Sequence, residues 1–74
     1  MSQEILDMRL VCRGQVLAQW RGLADPAVGK ELRAALLGAI YDLGREDDPK
    51  DAMPRYELRW QGTTGGWQSF RAAK

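Results

Sequence analysis

The spacing of apolar residues along this chain changes twice, from every second position to every third or fourth and back again, and that succession of periods dictates which elements can form. From Leu6 onward, Leu6, Met8, Leu10 and Cys12 alternate with Asp7, Arg9, Val11 and Arg13. After Gly14 the alternation resumes, with Val16, Ala18 and Trp20 against Gln15, Leu17, Gln19 and Arg21. A period of two is that of a half-buried strand, so residues 5 to 21 read as two strands. A loop of Arg13-Gly14-Gln15 sets Cys12 opposite Val16, Leu10 opposite Ala18 and Met8 opposite Trp20, all on one face. A two-residue turn would divide them between faces, so the longer loop is expected.

Gly22-Leu23-Ala24 connects to a stretch of helical period, Pro26 to Leu43. Asp25-Pro26 has the form of a helix start, because a carboxylate can accept from the free amides of the first turn and proline fits the first helical position. Gly44 is its expected stop. Val28, Leu32, Ala35, Leu36, Ala39, Ile40 and Leu43 fall in one stripe about 140° wide, the core face. A second apolar face holds Ala27, Ala34, Leu37, Gly38 and Tyr41. Gly29 and Gly38 each cost about 1 kcal/mol of helix propensity relative to alanine, for which close packing is the expected reason.

Arg45 to Pro54 is charged, contains Pro49, and reads as a loop. Strand alternation returns with Tyr56, Leu58 and Trp60 against Arg55, Glu57, Arg59 and Gln61. The turn Gly62-Thr63-Thr64-Gly65-Gly66 then leads to a last strand from Trp67 to Arg71 or Ala72. Two registers are open for this hairpin, one aligning Trp67 with Trp60 and one bringing Phe70 opposite Leu58. The expected fold is a single domain over residues 1–74, α+β and two-layered. Its order is β-β-α-β-β, with a four-stranded antiparallel sheet and one helix packed on one face.

A chain of 74 residues buries only about 60% of its unfolded surface, and oligomerisation is a common remedy for so thin a core. Cys12 is the only cysteine and histidine is absent, so a disulfide within the chain is excluded and the usual zinc ligands are lacking. Cys12 reads as a small inward apolar side chain. The segment Glu46 to Asp51 lacks the ligand spacing of a calcium loop, and the glycine-rich turn lacks the lysine and following helix of a phosphate loop. Without histidine, or a nucleophile flanked by a base, the expectation is a protein that is not an enzyme and takes no cofactor or metal. The opening Met1-Ser2-Gln3-Glu4 has neither the basic region nor the apolar run of a secretion signal, and no segment has the length to span a membrane; a cytoplasmic setting is expected.

Two surfaces then remain for function. Ala34, Leu37, Gly38 and Tyr41 are the candidate protein interface, a small-residue groove flanked by two larger side chains that suits another helix. Arg9, Arg13, Arg21 and Arg59 are the candidate basic face, on the side of the sheet away from the helix. Formal net charge is only +1, yet the strands are basic while Glu46 to Asp51 carries four carboxylates against Lys50. The two sheet edges are expected to be guarded by arginines and by Pro54, so strand addition is not the favoured contact. The expectation is a homodimeric interaction module that binds and modulates, as inhibitor or adaptor, a larger bacterial protein. The arginine-rich composition (eight Arg, three Lys) suits a bacterial or phage origin. The alternatives are a single-stranded nucleic-acid binder using the open sheet face, and a structural subunit of an assembly.

Overall fold

A computed structural model describes residues 3–63 and 65–72. Strands β1 (Glu4–Cys12) and β2 (Gln15–Ala24) form the first hairpin. Helix α1 (Gly29–Leu43) follows, then a short helix α2 (Pro49–Ala52) continued by a 3-10 turn (Met53–Arg55). Strands β3 (Glu57–Gln61) and β4 (Gln68–Phe70) complete the sheet. All pairings are antiparallel and the strand order is β2-β1-β3-β4, so the two hairpins meet along β1 and β3. The four-stranded antiparallel sheet of an α+β fold is present. The expectation of one helix is corrected: the charged segment read as loop contains α2 and the 3-10 turn.

The core lies between the sheet and the helices. Leu6, Met8 and Leu10 of β1 and Leu58 of β3 meet Leu32, Leu36 and Ile40 of α1, all at 5% exposure or less. Met53 and Tyr56 close one side of it. Leu58 stands opposite Leu10 and Trp60 opposite Met8, so directly paired residues share the inner face. With Phe70 opposite Leu58, the second hairpin takes the register with the longer loop, which leaves Trp67 outside β4.

The first hairpin combines both of the turns weighed from sequence. Arg13 (φ 53°) and Gly14 (φ 79°) are both left-handed, the two-residue turn whose twist matches its flanking strands. It pairs Cys12 with Gln15 and Val11 with Val16, in place of the expected pairing of Cys12 with Val16. A bulge at Leu17 then absorbs one residue, after which Leu10 meets Ala18 and Met8 meets Trp20 as expected. Because of it, Val16 turns outward (43% exposed) and Leu17 turns in against the core.

The helix starts are reversed from expectation. Asp25-Pro26 makes a turn, in which Asp25 Oδ1 accepts from the Ala27 amide (3.0 Å) and its carbonyl from that of Val28 (3.0 Å). α1 begins only at Gly29, with Val28 as its N-cap and no side-chain cap. Glu31 secures its first turn by accepting from the Asp25 amide at 2.9 Å and from Gln3 Nε2 at 3.2 Å. Asp48-Pro49, read as helix-unfriendly, does start a helix: Asp48 Oδ1 accepts from the Asp51 amide (3.3 Å) with Pro49 in the first turn. At the other end of α1, Gly44 (φ 72°) donates to the Tyr41 carbonyl as expected. Pro54 lies in the 3-10 turn and guards no sheet edge. No helix among the described residues is long and apolar enough to cross a membrane.

Candidate interaction surface

The outer face of the sheet follows from strand register. Ile5, Asp7, Arg9 and Val11 of β1 point away from the helix, and Leu23, Arg21, Gln19 and Val16 stand opposite them on β2. On the other side of β1, Gln61, Arg59 and Glu57 of β3 pair with Asp7, Arg9 and Val11. Among the described residues no helix packs on this face, although Val11 is buried within it between Val16 and Glu57 at 1% exposure.

Trp67 completes the face. Its indole lies over Arg9, with the guanidinium carbon 4.2 Å from the ring centroid. The contact is a cation–π stack, and the ring remains 40% exposed. Asp7, Arg9, Gln19, Arg21, Gln61 and Trp67 line a shallow open basin of about 560 Å³.

Charge on this face is paired unevenly. Arg21 Nε donates to Asp7 at 2.9 Å, while Arg59 and Arg71 share Glu57 at 3.1 and 3.4 Å. Arg9 has no carboxylate partner among the described residues, and its buried Nε has no hydrogen-bond acceptor. Four arginines against two carboxylates leave the face net positive. The apolar content is equally uneven. Ile5 (60%), Leu23 (64%), Val16 and Trp67 are exposed there, and Tyr41 is the one other large apolar side chain so exposed among the described residues.

Of the arginines singled out from sequence, Arg9, Arg21 and Arg59 share this face. Arg13 stands apart at the hairpin tip, lining a separate depression with Arg45, Arg55 and Tyr56. Arg55, whose alternation with Tyr56 read as the start of the third strand, sits in the 3-10 turn and binds Glu46 Oε1 at 2.8 Å. Trp67 was not assignable from sequence, because its side depends on the register of a hairpin with two acceptable pairings. The useful signal was its place after a glycine-rich turn, where a side chain can fold back across the strand it has just left.

The helix candidates lie on the outward side of α1, spread over about 100°. At about 100° per residue, Leu37 and Tyr41 fall on one flank of α1 and Gly38 on the other, with Ala34 between them. Leu37 is half-buried against the core, Tyr41 is 71% exposed, and Ala34 and Gly38 are exposed. The close packing expected at Gly29 and Gly38 is absent among the described residues, since a Cβ built at either would meet nothing within 4 Å. Gly38 instead borders a groove between α1 and β2, lined by Ala18, Trp20, Ala35, Ala39 and Leu43 with Gln19 and Asp42.

At the opposite end of the sheet, the Tyr56 hydroxyl donates to Glu46 Oε2 at 2.7 Å. That hydrogen bond, reinforced by burial, raises the hydroxyl pKa above its ordinary value. Glu46 therefore joins the Arg55 guanidinium and the Tyr56 ring to the chain just after α1. Cys12 is half-buried against the core, and its Sγ lies 3.5 Å from the Arg55 carbonyl as donor. No protein-family model, curated protein or solved structure matches the chain.

Proposed function

We propose that this protein is a non-enzymatic binding module whose working surface is the outer face of its sheet, and that its partner is an acidic patch on another protein. The observation that carries the reading is the presence of Ile5, Leu23, Val16 and Trp67 on that one face, Ile5 directly paired with Leu23, among arginines that outnumber their carboxylates. An ordinary solvated sheet face is polar and spreads its apolar exposures singly. Tryptophan and arginine are the residues that most often dominate binding energy at protein contacts, and here they are stacked on one another. The free charge of Arg9 supplies complementarity to a carboxylate-bearing partner, and the exposed aliphatic side chains supply apolar area around it. Two copies would not pair through this face, because both would bring a net positive charge to the contact.

A role in modulating a larger protein is the natural use of such a module, since blocking or bridging needs only a surface. The test is capture from a bacterial lysate by the wild-type protein and by an Arg9→Glu, Trp67→Ala double variant, read by mass spectrometry. Acidic proteins retained by the first and lost with the second are the expected result. The same pair is titrated with a labelled single-stranded oligonucleotide at low salt. Tight binding that falls steeply as salt is added would overturn the protein reading in favour of nucleic acid.

A further inference from the structure

We infer that the depression beside the tip of the first hairpin is a second binding site, one that takes a small phosphate monoester. Three arginines from distant parts of the chain line it: Arg13 from the hairpin tip, Arg45 from just past the Gly44 cap of α1, and Arg55 from the 3-10 turn. Side-chain contacts hold these segments together. Cys12 Sγ lies 3.5 Å from the Arg55 carbonyl as donor, which ties the end of β1 to the turn. Glu46 accepts from Arg55 Nη2 at 2.8 Å and from the Tyr56 hydroxyl at 2.7 Å, which ties the end of α1 to the same turn.

Charge does not balance there. Glu46 is the one carboxylate in the lining, and each of its oxygens already has a donor. Arg13 and Arg45 form no ion pair among the described residues. Three guanidiniums against one carboxylate leave the lining two positive charges in surplus. The carbonyl end of α1 beside Arg45 offsets only about half a charge of that. The backbone of Arg13 is a separate observation. It is the one non-glycine residue with positive φ (53°) among the described residues. A turn of this kind favours asparagine, aspartate or glycine at that position, because the Cβ of other residues crowds the main chain. A local preference overridden in this way marks a position with another task.

The ligand class follows from charge and shape. Guanidinium forks match phosphate oxygens two at a time, and a phosphate monoester carries about −1.5 to −2 charge at neutral pH, close to the surplus of the lining. Gln15, paired with Cys12 across the hairpin, adds an amide donor. Leu17, turned inward by the bulge, and the ring of Tyr56 give an apolar wall for a compact organic group on the ester oxygen. The volume of about 450 Å³ suits a small molecule, for which sites run from roughly 300 to 1,000 Å³. No residue of this lining belongs to the basin around Arg9 and Trp67, so the inference does not rest on the proposed use of the outer face.

Nitrogen–proton correlation NMR of the purified protein, titrated with phenyl phosphate at constant ionic strength, tests the site. Saturable shifts are expected at the amides of Arg13, Gln15, Leu17, Arg45 and Arg55, with much smaller ones from benzoate, which carries a single charge. Arg13→Asn gives the turn a residue it favours; it is expected to raise Tm yet weaken phenyl phosphate binding by roughly tenfold, the loss of one charge-assisted contact. Arg33→Gln, at an exposed arginine outside the depression, is expected to leave binding unchanged. Shifts that fail to saturate, that centre on Arg9 and Trp67, or that benzoate reproduces in full overturn the inference. So does an Arg13→Asn variant that binds phenyl phosphate as tightly as the wild type.

Discussion

The guanidinium of Arg9, past the middle of the first strand, and the indole of Trp67, just before the last, are stacked at 4.2 Å on the side of the sheet away from the helices. Each limits the freedom of the other; the ring is 40% exposed, and the half-buried cation has no carboxylate partner among the described residues. A preorganised pair of this kind loses little conformational entropy when a partner arrives.

Replacing Trp67 by alanine therefore separates binding from folding. The cation–π stack at an exposed site is worth on the order of 0.5–1 kcal/mol, so urea denaturation of Trp67→Ala should show a stability loss no greater than about 1 kcal/mol. Retention of any captured partner should fall by tenfold or more, as at an interface hot spot costing about 2 kcal/mol. A loss of stability much larger than that would make the indole a structural residue and remove the premise of the binding reading.

Gly38→Ala should stabilise the protomer. The position is mid-helix, its Cβ meets nothing within 4 Å, and alanine recovers about 1 kcal/mol of propensity. For a domain of this size that corresponds to a rise of about 4–8 °C in Tm, measured at low protein concentration so that association contributes little. An unchanged or lowered Tm would mean that the glycine serves its own chain in a way the geometry does not reveal.

The two Asp-Pro pairs show how much of this fold was legible in the residues and where legibility stopped. Both have the local chemistry of a helix start, but local chemistry does not say how many residues the chain needs to climb from the end of a strand to the helix layer. After β2 the chain spends Asp25 to Val28 on a turn, and Glu31, six residues on, takes over the anchoring role. After α1 it stays in the helix layer, and Asp48-Pro49 can act at once. The inner face of β1 was readable because alternation there is uninterrupted. The β2 pattern was misread near Val16 and Leu17, since both are apolar and a bulge exchanges which of them faces inward. The Arg9–Trp67 stack joins residues from distant parts of the sequence through a hairpin register that two pairings satisfied equally.

Removing the two aspartates should accordingly have unequal effects. Asp48→Ala deletes the cap of a four-residue helix at an exposed position, and a loss of about 0.5–1 kcal/mol is expected. Asp25 is 7% exposed and its carboxylate holds the Ala27 amide within the turn. Asp25→Ala leaves that part-buried donor without an acceptor, for an expected loss of about 1–3 kcal/mol. Equilibrium denaturation of the two variants decides the order, and a reversed order would return Asp25-Pro26 to the role of a simple exposed cap.

The bond from Tyr56 to Glu46 predicts a pH dependence of stability. The hydrogen bond to the Glu46 carboxylate, with burial, makes the folded state hold the phenolic proton more tightly than the unfolded chain does. Folding then binds more protons than unfolding at alkaline pH. The contribution is fully present below the ordinary tyrosine value of about 10 and is lost as pH rises through the raised folded value. Tyr56→Phe keeps the ring in the core and removes the proton, leaving Glu46 with Arg55. The stability difference between wild type and this variant should be flat from about pH 7 to 9 and should shrink above about pH 10, as followed by urea denaturation at each pH. A difference that holds constant through the alkaline range would show that the phenolic proton is no better held in the fold than outside it, and that Glu46 is anchored by Arg55 alone.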